Sequence, residues 1–144
     1  MTTPKWVVTI VAVLAVWMGG YAFLTRQPDD TAYREMCVQS AQNALDGLGT
    51  ARMGTDSGLF PTFQTSLDGD AQKLIQQARS GIVAQIPPDE ASARRRDTLV
   101  PMLDQADRLY EDLATARSDA DRRAVSGRMI ELEGRLRDFI DGNR

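Results

Sequence analysis

Residues Trp6 to Leu24, WVVTIVAVLAVWMGGYAFL, contain no charged side chain, and this stretch constrains the chain more than any other. As a helix its 19 residues rise about 1.5 Å each and reach roughly 28 Å, close to the ~30 Å hydrocarbon core of a bilayer. Trp6 and Tyr21 lie near its two ends, where amphipathic rings favour the membrane–water interface. Lys5 and the α-amino group precede the run, whereas Arg26 follows it and is succeeded by Asp29 and Asp30. The excess of cations on the N-terminal side predicts that end in the cytoplasm and the bulk of the chain periplasmic or extracellular.

A cleaved signal peptide is the alternative. Gly20-Tyr21-Ala22 offers small residues at the two positions a signal peptidase reads, so cleavage would follow Ala22. The apolar run is longer than the 7–15 residues typical of a signal-peptide core, which favours a retained single-pass anchor. The expected organisation is a cytoplasmic tail at 1–5, a transmembrane anchor at 6–24, a hinge at 25–30 and a helical domain at 31–144.

Beyond the anchor the sequence is dominated by helical periodicity. Pro28-Asp29-Asp30-Thr31 reads as a turn and N-cap. Tyr33, Met36, Cys37, Ala41, Ala44, Leu45 and Leu48 then recur at spacings of three and four, one apolar helix face ending near Gly47 or Gly49. The glycine-, threonine- and serine-rich stretch 49–58 predicts a loop. Phe60, Phe63, Leu67, Ala71, Leu74, Ala78, Ile82 and Ile86 mark a second helix, opened by Pro61 and ended by Pro87-Pro88, with a candidate interruption at Asp68-Gly69-Asp70.

Asp89 and Glu90 open a third helix, whose apolar positions are Leu99, Met102, Leu103, Ala106, Leu109, Tyr110 and Leu113. Pro101 lies inside it and predicts a kink or a later start. Ser118-Asp119-Ala120-Asp121 has the pattern of a capping box with Asp as its acid. Val125, Met129, Leu132, Leu136 and Phe139 follow as a heptad seam. Asp104 with Arg108, Asp119 with Arg123, Glu131 with Arg135 and Glu133 with Arg137 are i,i+4 pairs, each contributing a few tenths of a kcal/mol. Four amphipathic helices with short links are most simply buried as an antiparallel four-helix bundle, so the expected fold class is all-α.

The chain has 144 residues, no histidine and one cysteine. Those counts remove histidine as general base or metal ligand, and they remove intrachain disulfides and thiolate clusters. No cofactor is expected. Seventeen basic against 20 acidic residues leave a net charge of −3, the wrong sign for nucleic-acid binding. Asp68-Gly69-Asp70 lacks the further oxygen ligands of a calcium loop, and the di-iron motif Glu-x-x-His is impossible, so no metal is expected. Neither G-x-S-x-G nor S-x-x-K occurs.

Three features remain as candidate contacts. Arg94-Arg95-Arg96 is the densest cationic run, suited to an acidic partner or lipid headgroups, or else simply a solvated helix face. Phe60 and Phe63 flank the 49–58 loop and could receive a protein partner. Cys37, on the apolar face of the first helix, reads as a small buried hydrophobe, with an intermolecular disulfide as its alternative. In outline the layout of inner tail, single anchor and outer helices resembles small bitopic bacterial proteins and the inner-membrane spanins of phages. Gly49, Pro87-Pro88 and Pro101 interrupt the long coiled coil that the second resemblance implies. The expected function is that of a non-catalytic accessory or scaffold subunit of a membrane protein complex, with the lipid bilayer and a membrane protein as partners. The alternative is an extracytoplasmic small-molecule sensor or binding module.

Overall fold

The computed structural model describes residues 29–56 and 61–144, with side chains described for 29–54 and 69–144. The anchor expected at 6–24, the tail before it and most of the hinge lie outside the described residues. Among the described residues there are four α-helices and no strand: α1 (Asp30–Asp56), α2 (Pro61–Val83), α3 (Glu90–Thr115) and α4 (Asp119–Asn143). None of the described helices is long and apolar enough to cross a membrane.

Three of the four helix starts follow from side chains visible in the sequence. Asp29 Oδ1 accepts the amide of Ala32 at 2.7 Å ahead of α1. Asp89 Oδ1 accepts that of Ser92 at 2.7 Å, capping α3. Ser118 Oγ accepts the amide of Asp121 at 3.0 Å and donates to Asp121 Oδ2 at 2.6 Å, which closes the capping pattern at the start of α4. Each cap satisfies an amide that has no partner within its own helix.

The helices pack side by side around one core. α1 and α3 touch each other and both touch α2 and α4, whereas α2 and α4 make no contact among the described residues. The most extensive interface is that of α1 with α2. These two run antiparallel, with Gly47 against Ala71 and Ile75 and Ser40 near Gly81. α3 and α4 are antiparallel as well, since Arg135 Nη1 reaches Gln105 Oε1 at 2.9 Å and Arg95 Nε reaches Asn143 Oδ1 at 3.1 Å. The apolar positions expected for α1, α3 and α4 are all buried in the core or packed against it. Ile75, Ile140 and the carboxylate residue Glu133 join the core without having been singled out by the periodicity.

Several boundaries differ from expectation. The stretch read as a loop at 49–58 continues α1 as far as Asp56. Ala51 and Gly54 of that stretch extend a stripe of small residues begun by Ala44 and Gly47, all four of them buried. At Gly47 an added Cβ would lie 2.9 Å from Ile75 Cγ1 and 3.1 Å from the carbonyl oxygen of Ala71, so glycine there permits the approach of α2. The helix passes unbroken through Asp68-Gly69-Asp70. Burial of Ala71, Ile75, Ala78 and Ile82 outweighs the ~1 kcal/mol a helical glycine costs. α2 stops at Val83, before the prolines, and Ile86 is exposed rather than part of the stripe. Ile86 precedes Pro87, which disfavours helical backbone at that residue. α3 in turn runs through Pro101, which lies on its solvent face together with Asp97, so the carbonyl that proline leaves unbonded faces water.

The opposed roles of two glycines on one helix can be tested by chemical denaturation followed by circular dichroism. Gly47→Ala should destabilise the fold by about 1–3 kcal/mol through overpacking. Gly49→Ala, where nothing lies within 4 Å of the new Cβ, should stabilise it by up to ~1 kcal/mol, because position 49 is inside α1. A neutral Gly49 substitution would return this stretch to a loop.

Candidate functional site

The densest polar grouping lies at the end of the array where α1 begins. Arg95 Nη1 donates to Asp30 Oδ1 at 2.6 Å, joining the second turn of α3 to the start of α1. Its Nε donates to Asn143 Oδ1, which adds the end of α4. Ser92, fully buried, donates its hydroxyl to the same Asp30 oxygen at 3.1 Å. Asn143 is itself held by donating Nδ2 to the carbonyl of Phe139 at 2.8 Å. The result is a clasp built from three helices. The hydrogen bond from Arg95, then that from Ser92, hold the Asp30 carboxyl below its ordinary range. The clasp therefore contributes at and above the ordinary carboxylate range and is lost as pH falls through the depressed value.

Below the clasp lie two side chains with ionisable protons. Tyr33 is completely buried, and its hydroxyl has no hydrogen-bond partner. Burial pushes its phenol up from the ordinary value. Cys37, one turn further along α1, is a free and fully buried thiol whose pKa is pushed up to about 11, chiefly by burial. A thiol in that state is a poor nucleophile at neutral pH and cannot reach a second chain without opening the core. Burial as a small hydrophobe is thus what the structure shows for Cys37, rather than the alternative of an intermolecular disulfide.

An open cleft of about 510 Å³ runs beside the clasp, between α1 and the end of α4, lined by Arg34, Glu35, Val38, Gln39, Asn143 and Arg144. Its walls are mixed in polarity and its charges of both signs.

The structure splits the Arg94-Arg95-Arg96 run. Arg94 is exposed and paired with Glu90 at 2.6 Å across one helical turn. Arg95 is turned inward to the clasp, with 22% of its side chain exposed. Arg96 is half-buried and close enough to Tyr33 to act on its ionisation. The three guanidinium groups do not form one cationic face, because a helix advances about 100° per residue. Phe60 lies outside the described residues, and Phe63 falls in the first turn of α2, where side chains are not described.

A second polar cluster was visible in the sequence only through its local pair, Glu133 with Arg137; Arg52 was not foreseen. Glu133, almost fully buried, accepts from Arg52 Nε at 2.7 Å and Arg52 Nη2 at 3.2 Å, and from Arg137 Nη2 at 3.3 Å. Of the four expected i,i+4 pairs, Glu133 with Arg137 forms as an ion pair. Asp104 instead pairs with Arg79 of α2 at 2.6 Å, and Arg135 turns to Gln105. Arg108 and Arg123 reach the backbone carbonyls of Asp104 and Asp119 rather than the carboxylates. Among the described residues no group of three or more carboxylates and thiols is placed to hold a metal ion.

No protein-family model matches the chain, and no curated protein or solved structure matches it. The functional reading therefore rests on the residues themselves.

Two measurements test these placements. Glu133→Ala leaves two arginines without their shared partner and should cost about 2–4 kcal/mol in denaturation, at the lower side of the range for buried pairs because Arg52 is 26% exposed. The Cys37 thiol should react with maleimide only after denaturation. Because the unfolded chain loses the thiol proton first, stability should fall as pH rises from the ordinary thiol range toward 11. A chain carrying Cys37→Ala should lack that alkaline component.

Proposed function

We propose that the chain is a membrane-anchored, extracytoplasmic four-helix bundle that serves as a non-catalytic accessory or scaffold subunit of a membrane protein complex. One observation carries the reading: the uncharged run 6–24 is followed after five residues, 25–29, by the clasped end of the helices. Five residues extend at most roughly 17 Å, so a tether in the bilayer would hold that end close to the lipid surface. On this reading the first turn of α2, which carries Phe63 and lies at the opposite end of that helix from Val83, stands away from the membrane, where a partner's outer domain would reach it.

The cleft beside Asn143 favours a second reading, a small-molecule binding module. A compound that seats there should raise the melting temperature in proportion to its affinity.

The tether is tested on membranes of a bacterial host expressing the full chain. The protein should resist alkaline carbonate extraction, keep residues before Ala22 by mass spectrometry, and bring down a stoichiometric membrane protein from mild detergent. Release by carbonate with a mature terminus after Ala22 overturns the tether. A solitary, monodisperse species overturns the subunit role.

A further inference from the structure

We propose that the turn between α2 and α3, residues 83–89, is a second lipid contact that seats the clasped end of the helices on the membrane surface. The inference deepens the tethered reading above and rests on it. Among the described residues four large apolar side chains are exposed: Met53, Val83, Ile86 and Ile130. Two of these four, Val83 at 43% and Ile86 at 67%, stand within four residues of one another at this turn.

The turn lies at the end of the array from which the chain leads back to the apolar run. It runs directly into α3, whose residues Ser92 and Arg95 bond to Asp30 at 3.1 and 2.6 Å. Only residues 25–29 separate Asp30 from Leu24, the last residue of that run. A membrane holding residues 6–24 is therefore the surface nearest to Val83 and Ile86. Pro87 and Pro88 fix their own φ and restrict the residue before them, which stiffens the turn and keeps Ile86 outside the core. Such a stiff apolar projection loses little freedom on entering the boundary between headgroups and acyl chains.

Charge favours apolar insertion over electrostatic adhesion. Within residues 83–89 the one ionisable side chain is Asp89, at the far edge of the turn, where its carboxylate caps α3 by accepting from the Ser92 amide. The nearest exposed cation in α3, Arg94, is neutralised by Glu90. The occupant is therefore the lipid interface itself, with no requirement for anionic headgroups.

The test uses the full chain reconstituted in phosphatidylcholine vesicles, with an environment-sensitive fluorophore on Ile86→Cys or, for comparison, on Arg117→Cys in the turn between α3 and α4. The buried Cys37 stays unlabelled in the folded protein, and circular dichroism confirms that each variant is helical. The label at 86 should emit at shorter wavelength and be quenched several-fold more by lipids carrying a shallow nitroxide than the label at 117. Equal quenching at both positions in chains that float with the vesicles overturns the second contact and leaves the tether standing. Chains that do not float with the vesicles overturn the tether, and the inference with it. As a separate readout in unlabelled protein, hydrogen exchange at 83–86 should be slower in vesicles than in detergent for the native chain, and Ile86→Asp should abolish the difference. Unchanged exchange in the native chain overturns the contact.

Discussion

The close approach of α1 to α2 governs much of this structure. At Gly47 the second helix comes so near that a single methyl group would meet Ile75 and the carbonyl of Ala71 at no more than 3.1 Å. Alanines at 41, 44 and 51 on one helix and at 71 and 78 on the other are buried in the same core. Small side chains lose little rotamer entropy on burial and let dispersion act between backbones as well as side chains. With α1 and α2 so joined, the larger side chains of α3 and α4, among them Leu99, Leu103, Met129 and Leu136, complete the core.

Two polar ties, one centred on Arg95 and one on Glu133, then fix which ends of the helices meet. Arg95 gathers Asp30 and Asn143 at one end, and Glu133 gathers Arg52 and Arg137 farther along the array. The Arg95–Asp30 pair is partly open to water, with 48% of the Asp30 side chain exposed, and lies near the surface regime in which an ion pair contributes about 0–1 kcal/mol. Glu133 is desolvated, and both of its carboxylate oxygens are occupied, which is the condition under which a buried charge is tolerated. The ties also define the polarity of the molecule. One end carries the start of α1, the clasp, the cleft and the Val83–Ile86 turn, and it is the end that a tether through residues 6–24 would present to lipid.

Most of the secondary structure was legible because its signals are local. Ser118 caps the helix it was expected to cap, Asp29 lies in the stretch read as a turn and N-cap, and Asp89, read as an acid opening the third helix, is its N-cap; the spacing of Val125, Met129, Leu132, Leu136 and Phe139 marked the buried face of α4 directly. The reading failed where one residue type serves two purposes. Glycines at 47, 49 and 54 carry the same letters whether they loosen a loop or make room for a neighbouring helix. Here the second use prevails at Gly47, and α1 extends to Asp56. The candidate contact residues fared unevenly for a related reason. Three successive arginines look alike in sequence, yet only Arg95 faces the Asp30 carboxylate and the Asn143 amide oxygen, which accept from it.

The sequence by itself determined the all-α character, the faces of α1, α3 and α4 that are buried, and the capped starts of α1, α3 and α4. Hydrophobic spacing and capping act within a few residues of each other, so neighbours along the chain suffice to set them. Only the tertiary structure decided that Arg52 meets Glu133 across 81 positions, that Asp104 takes Arg79 in preference to Arg108, and that Tyr33 and Cys37 are sealed beneath the clasp. Those choices depend on which side chain stands opposite once helices are pressed together, and a charge or a glycine carries no mark of its eventual neighbour until they are.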